Sequence, residues 1–178
     1  MLKAMCLLVI ASMCDACSTS ENITVDKNLP NFFKVNENLY RGGQPNEAGI
    51  KSLKEKLGIK TVILFRTSGD EIEKEDEWAK EAGLKFISLP LHNWFKPKHA
   101  EVKAVLAEVT NPENYPVFVH CKRGADRTGT IIAIYRMTQE GWSPERASEE
   151  AKKFGIGWWQ VWMKDYIKDY HRDFIAEK

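Results

Sequence analysis

The chain has 178 residues, of which 43% are hydrophobic, 29% charged and 11% aromatic, with a formal net charge of +1. This fits one globular domain, and 26 basic residues balanced by 25 acidic ones leave no general field for gathering nucleic acid. Cys6, Cys14 and Cys17 fall within the first seventeen residues and only Cys121 lies further on, so the body cannot close an internal disulfide.

Residues 4–13 are an unbroken apolar and small run behind Lys3, followed by Asp15, Ser18, Thr19, Ser20, Glu21 and Asn22. A spanning helix needs about 20 apolar residues and a signal-peptide core about 7–15, so an export signal is expected over residues 1–16. Ala16-Cys17 followed by Ser18-Thr19-Ser20 resembles the site where bacterial lipoproteins are cut and lipidated. That pattern prefers a leucine-like residue where this chain has Cys14, and ordinary cleavage or an uncut amphipathic anchor is the alternative. Residues 17–28 then form a polar linker or tether and residues 29–178 the domain. The expected product is exported, as a membrane-anchored lipoprotein through Cys17, a periplasmic protein or a secreted one.

From Leu29 onward short apolar runs alternate with helical patterns. Phe32–Val35 and Leu39–Arg41 read as strands closed by the turn Gly42-Gly43-Gln44-Pro45. Asn46 caps a helix carrying Ile50, Leu53 and Leu57, which stops at Gly58. Thr61–Phe65 is a β-branched and aromatic run expected of a strand buried on both faces. A charged helix over Asp70–Ala82 and a strand over Leu84–Leu89 follow, then a loop over Leu91–Pro97 and a helix with Val102, Val105, Leu106 and Val109 inward. Tyr115–Val119 is the last strand and delivers the chain to His120 and Cys121. Thr128–Met137 reads as a central buried helix, and Ser143-Pro144 opens another. The final helix is expected to carry Trp159, Trp162, Tyr166, Tyr170 and Phe174 as one packed stripe. Strands alternating with helices predict an α/β fold, a central mostly parallel sheet of four to five strands flanked by helices.

The segment His120-Cys121-Lys122-Arg123-Gly124-Ala125-Asp126-Arg127-Thr128-Gly129 joins the last strand to the buried helix. Five residues between Cys121 and Arg127 let the loop curl so that its N–H groups converge with the helix amino terminus on one tetrahedral anion. Gly124 allows the turn, Gly129 a close approach of helix to sheet, and Arg127 a planar fork for two phosphoryl oxygens. The same field favours the thiolate of Cys121, which makes it the candidate nucleophile. Thr128 is placed to donate to the cysteine sulfur, and His120 to orient the loop from behind. Lys122, Arg123 and Ala125 complete the substrate-binding candidates; the two cations either widen the positive zone or are simply solvated. Arg66, Thr67 and Ser68, ending the preceding buried strand, are candidates for the same rim.

The pattern His-Cys-x-x-Gly-x-x-Arg-Thr-Gly resembles the cysteine-dependent protein tyrosine phosphatase superfamily in its small dual-specificity branch, over about Asn31 to Tyr170. Leu39–Pro45 is similar to the opening strand of bacterial members and of the plant and fungal atypical group. Cys121-Lys122-Arg123-Gly124 also matches that group, which includes inositol-pyrophosphate phosphatases. Asp126 directly before Arg127 is similar to myotubularin lipid phosphatases and secreted bacterial phosphatases acting on phosphoinositides, where the loop aspartate is the general acid. The resemblance implies hydrolysis of phosphorylated proteins, phosphoinositides or inositol phosphates through a phosphocysteine, without cofactor or metal. Most members carry their acid on a loop after the preceding strand, but here Leu89–Pro97 has no carboxylate. Asp126 is the favoured acid. His92 and Glu101 are substitutes, and a structural role in which Asp126 holds Arg127 or a loop amide is the alternative.

Sulfurtransfer would resemble shorter loops, and arsenate reduction needs further thiols. A catalytically weak module binding phosphorylated ligands at a membrane surface is the non-enzymatic alternative. His92, His99, His120 and His171 lack metal-ligand spacing with a second thiol.

Overall fold

A computed structural model describes residues 27–174, so the export signal, Cys17 and most of the tether lie outside the described residues. The elements run in the order β1 (Phe33–Lys34), β2 (Leu39–Gly42), α1 (Glu47–Leu57), β3 (Thr61–Leu64), α2 (Glu71–Glu81), β4 (Lys85–Ser88), α3 (His99–Val109), a 3-10 turn (Pro112–Asn114), β5 (Val117–His120), α4 (Asp126–Glu140), α5 (Pro144–Lys153) and α6 (Val161–Phe174). Local chemistry accounts for several boundaries. Asn46 caps α1 by accepting from the Gly49 N–H at 2.9 Å, and Gly58 closes it in the left-handed region at φ 63°. Ser143 caps α5, with Pro144 at its first turn.

The five strands form one sheet in the order β1-β2-β5-β3-β4. Only the β1–β2 pair is antiparallel. Gly42, His120, Leu64 and Ser88 share one row of the parallel register, so four strands release their connections at the same edge. Sheets of this type bind ligands beyond the carboxyl ends of their strands.

Side chains on β5 alternate. Val117 and Val119 face a core built from Val102 and Val105 of α3, Ile131 and Ile132 of α4, and Ile167 of α6. Phe118 faces the other side, with Tyr40, Val62, Ile50 and Leu53 of α1, and Ala79 of α2. Each fully buried Val, Ile, Leu or Phe among them contributes about 1.5–3 kcal/mol of transfer free energy. β3 is buried along its whole length, whereas the edge strand β4 is not. Arg136 locks α4 to α5 through Glu150 at 2.8 Å and to its own helix through Glu140 at 2.6 Å.

Three expectations need correction. The last helix begins at Val161, because a turn at Gly157-Trp158 precedes it; Tyr166 and Tyr170 are buried, but Trp159 stands outside the helix and Phe174 is 38% exposed. Gly129 leaves room for a side chain and enforces no close approach: a Cβ there would meet Ala151 Cβ of α5 at 3.6 Å and Arg41 Nη2 of β2 at 3.9 Å, both ordinary contacts. Asn28, the last residue expected in the tether, is instead held at the cap of α1, where its Oδ1 accepts from Asn46 at 2.9 Å.

Candidate active site

β5 ends at His120 and α4 starts at Asp126, leaving Cys121–Ala125 as a loop whose far end is the amino terminus of a 15-residue helix. The N–H groups of Lys122, Arg123, Gly124 and Ala125 donate to no other described group. Together with the orphan donors of the first turn of α4 and the positive end of its dipole, they form a cradle for an anion. Gly124 sits at φ 69°, and a Cβ there would collide with the carbonyl of Gly42. Glycine is therefore required both for the backbone angle and for the close approach to the end of β2. Cys121 is a free thiol, 2% exposed, at the base of this loop.

Arg127 directs NH1 to the carbonyl of Phe65 at 3.1 Å and to that of Leu91 at 3.5 Å, pointing its guanidinium across the ends of β3 and β4. Its Nε is buried and unpaired, as is the hydroxyl of Thr128. The expected hydrogen bond from Thr128 to the cysteine sulfur is thus absent. A buried donor left unmade costs about 1–3 kcal/mol, and an oxyanion in the cradle is the kind of ligand that would relieve it.

Asp126 is 6% exposed, and both of its oxygens are occupied. Oδ1 accepts from the Gly157 N–H at 2.8 Å and Oδ2 from Arg123 at 2.7 Å, the arrangement of a residue that holds a loop amide. Arg123 in turn stands 5.6 Å from the centre of the Trp159 ring. Lys122 is exposed, and its carbonyl accepts from Gln44 at 3.2 Å. Ala125 is buried at the helix cap. Of the other acid candidates, His92 is exposed beside Phe95, while Glu101 caps α3 by accepting from the Lys98 N–H.

Behind the loop lies a buried polar layer in which the sequence points to His120 and Arg66 but not to Glu75, Gln44 or Arg41. His120 is fully buried, with Nδ1 3.4 Å from the Cys121 carbonyl and Nε2 2.6 Å from Glu75, itself fully buried on α2. Gln44 donates to the second Glu75 oxygen at 2.7 Å and accepts from Arg66, which pairs outward with Glu71 at 3.0 Å. Arg66 thus belongs to this supporting chain. On the other face, Arg41 of β2 is fully buried, donates to the Gly124 carbonyl at 2.7 Å and stands 4.0 Å over the Phe154 ring. Burial pulls its guanidinium down to about 10, opposed by the charges of Glu150 and Cys121 and assisted by Arg136. A charged residue inside a wholly buried strand was the available signal for Arg41, and a carboxylate one turn before buried Ala79 was the signal for Glu75. Among the described residues no group of three His, Cys, Asp or Glu side chains is placed to hold a metal ion.

A family model described as DSP-PTPase phosphatase fused to NAD+ kinase matches residues 22–161. The chain is 34% identical over 128 residues to the dual specificity protein phosphatase TpbA of Pseudomonas aeruginosa, a match spanning 71% of this chain and 56% of that protein, little more than half its length. The catalytic core of the PP-IP phosphatase SIW14 from S. cerevisiae, solved with citrate, superposes with a TM-score of 0.73 at 26% identity over 84% of this chain and 91% of that one. A cysteine-to-serine variant of TpbA in complex with pTyr superposes with a TM-score of 0.66 at 30% identity, covering 78% and 83%. The chain belongs to the dual-specificity family of cysteine-dependent protein tyrosine phosphatases.

Proposed function

We propose that the chain is a phosphatase that hydrolyses its substrates through a phosphocysteine on Cys121. The observation that supports this most strongly is the cradle of free N–H groups between Cys121 and the amino terminus of α4, with Arg127 reaching across its mouth. In the first step the Cys121 thiolate attacks phosphorus, an S–P bond forms, and the P–O bond to the leaving group breaks with its electron pair. In the second, water attacks the phosphocysteine, returning the thiolate and releasing phosphate. Arg127 and the loop amides stabilise the equatorial oxygens throughout.

The engagement of both Asp126 oxygens bears on the substrate. A carboxylate holding Gly157 and Arg123 must give up one of them before it can serve as an acid. Leaving groups that need little protonation are favoured: a phenolic oxygen, pKa about 10, over an aliphatic alkoxide, or the phosphate released from a pyrophosphate. The pTyr bound by the TpbA variant and the PP-IP activity in the name of SIW14 both fall within that range. Export through residues 1–16 with lipidation of Cys17 completes the reading, tested by membrane fractionation with and without Cys17→Ala.

Hydrolysis of an aryl phosphate in the presence of chelator, blocked by vanadate and abolished by Cys121→Ser, is the expected result. Phosphate-ligand binding without turnover would identify a binding module instead. Asp126→Asn is expected to slow aryl and alkyl phosphates by similar factors; a selective loss on alkyl phosphates would make Asp126 the acid.

A further inference from the structure

The mouth of the site is aromatic as well as basic. Trp94 and Phe95, in the connection after β4, are each 67% exposed, and Trp158 and Trp159, before α6, are 81% and 41% exposed. The first group packs on the first turn of α6, which the second group immediately precedes in the chain. The Trp94 ring lies 6.5 Å from Trp162, whose indole N–H donates to the Asn93 carbonyl at 3.2 Å, and Trp158 meets Trp159 edge to face at 5.8 Å. Asp126 and Arg123 of the anion loop hold the second group in place through Gly157 and Trp159. Exposed apolar clusters of this kind mark interaction surfaces.

Charge is concentrated on the same side. Residues 89–98, 121–127 and 154–160 carry Lys96, Lys98, Lys122, Arg123 and Arg127 against the single carboxylate Asp126, a balance of +4 within a chain whose net charge is +1. Lys96 is paired with Asp169, and Lys98 and Lys122 are exposed. Glu71 is paired with Arg66 at 3.0 Å, and the charge of Lys122 also acts on it. The chain also enters the domain here: Asn31 donates to the carbonyls of Arg123 at 3.2 Å and Phe154 at 3.0 Å. No described helix is long and apolar enough to cross a membrane, so any contact of the described residues with lipid is superficial.

We propose that this mouth docks on an anionic bilayer surface, with Trp94, Phe95, Trp158 and Trp159 seated at the headgroup boundary and Lys98 and Lys122 facing acidic headgroups. Indole rings at loop tips with flanking cations are what the membrane interface selects. The surface is independent of the phosphatase chemistry, so Cys121→Ser protein docks as the native chain does even if turnover is never found.

The test uses the full chain with phosphatidylcholine vesicles carrying brominated acyl chains, with and without phosphatidylserine. Tryptophan fluorescence is quenched on the phosphatidylserine vesicles. Quenching persists in W78F/W142F, is lost in W94F/W158F/W159F, and needs about fivefold more lipid in Lys98→Gln. Vesicle binding with no quenching of Trp94, Trp158 and Trp159 would show that something other than this mouth holds the membrane and would overturn the proposal. Equal quenching on neutral vesicles, or capture of a phosphorylated protein without quenching, would equally overturn the proposal.

Discussion

Replacing Arg41 by Met separates what this buried cation does for folding from what it does for the site. Burial pulls its guanidinium down to about 10, so the folded protein holds the charge at a cost of about 3 kcal/mol. That cost is in full force below about pH 10 and fades as the pH rises toward the unfolded value, because the folded state sheds the proton first. Met removes the cost, but leaves the Gly124 carbonyl unpaired, about 1–3 kcal/mol, and forfeits the stacking on Phe154, about 2 kcal/mol. These contributions nearly cancel, so the melting temperature at neutral pH should move by no more than about 5 °C. The loop, however, loses the bond that fixes Gly124, and a displacement near 1 Å costs on the order of 100-fold in rate. Thermal unfolding and aryl phosphate hydrolysis measured on one preparation provide the assay. A fall of more than about 10 °C with kcat/KM unchanged would refute the reasoning, since Arg41 would then be holding the fold and not the loop.

Glu75→Gln removes one partner of a fully buried pair and leaves His120 facing an amide; a loss of about 3 kcal/mol, or roughly 6–12 °C in melting temperature, is expected by calorimetry, and an unchanged transition would show that the 2.6 Å contact carries no net attraction. Gly124→Ala forces a Cβ onto the Gly42 carbonyl at a positive φ, so vanadate affinity and kcat/KM should collapse while circular dichroism stays native. Asp169, held below the usual carboxylate range first by its hydrogen bond to Lys96, ties the connection after β4 to α6. A depressed carboxyl contributes above its ordinary pKa and is lost as the pH falls through its folded value, so Trp94 emission should change below about pH 4 in the native protein. Asp169→Asn should flatten that response, and an identical titration in both would remove Asp169 from the account.

Periodicity made the scaffold legible. Thr61–Phe65 could only be a doubly buried strand, and the Asn46 and Gly58 signals bracket α1 because capping is local chemistry. The loop from Cys121 to Arg127 was equally plain, since its residues are contiguous. Arg41 and Glu75 were not, because each is explained only by a partner brought near by the sheet: Gly124 in one case, His120 in the other. The start of α6 was misplaced for the same reason. Trp159 continues the helical spacing, but the chain is held back at Gly157 by Asp126, a contact 31 residues away that no window of sequence contains.

The sequence distance of those braces has a kinetic consequence. Asn31 reaches Arg123 across 92 residues, Arg41 reaches Gly124 across 83, and Asp126 fixes Gly157 across 31. The anion loop therefore has no support of its own until strands from both halves of the chain have paired, and contacts of such span form slowly. Recovery of turnover after dilution from denaturant should follow the slowest step in which tertiary fluorescence returns, with no early burst of activity. A nick anywhere between residues 31 and 157 that frees its flanking segment should silence the protein outright instead of leaving a weakened fragment.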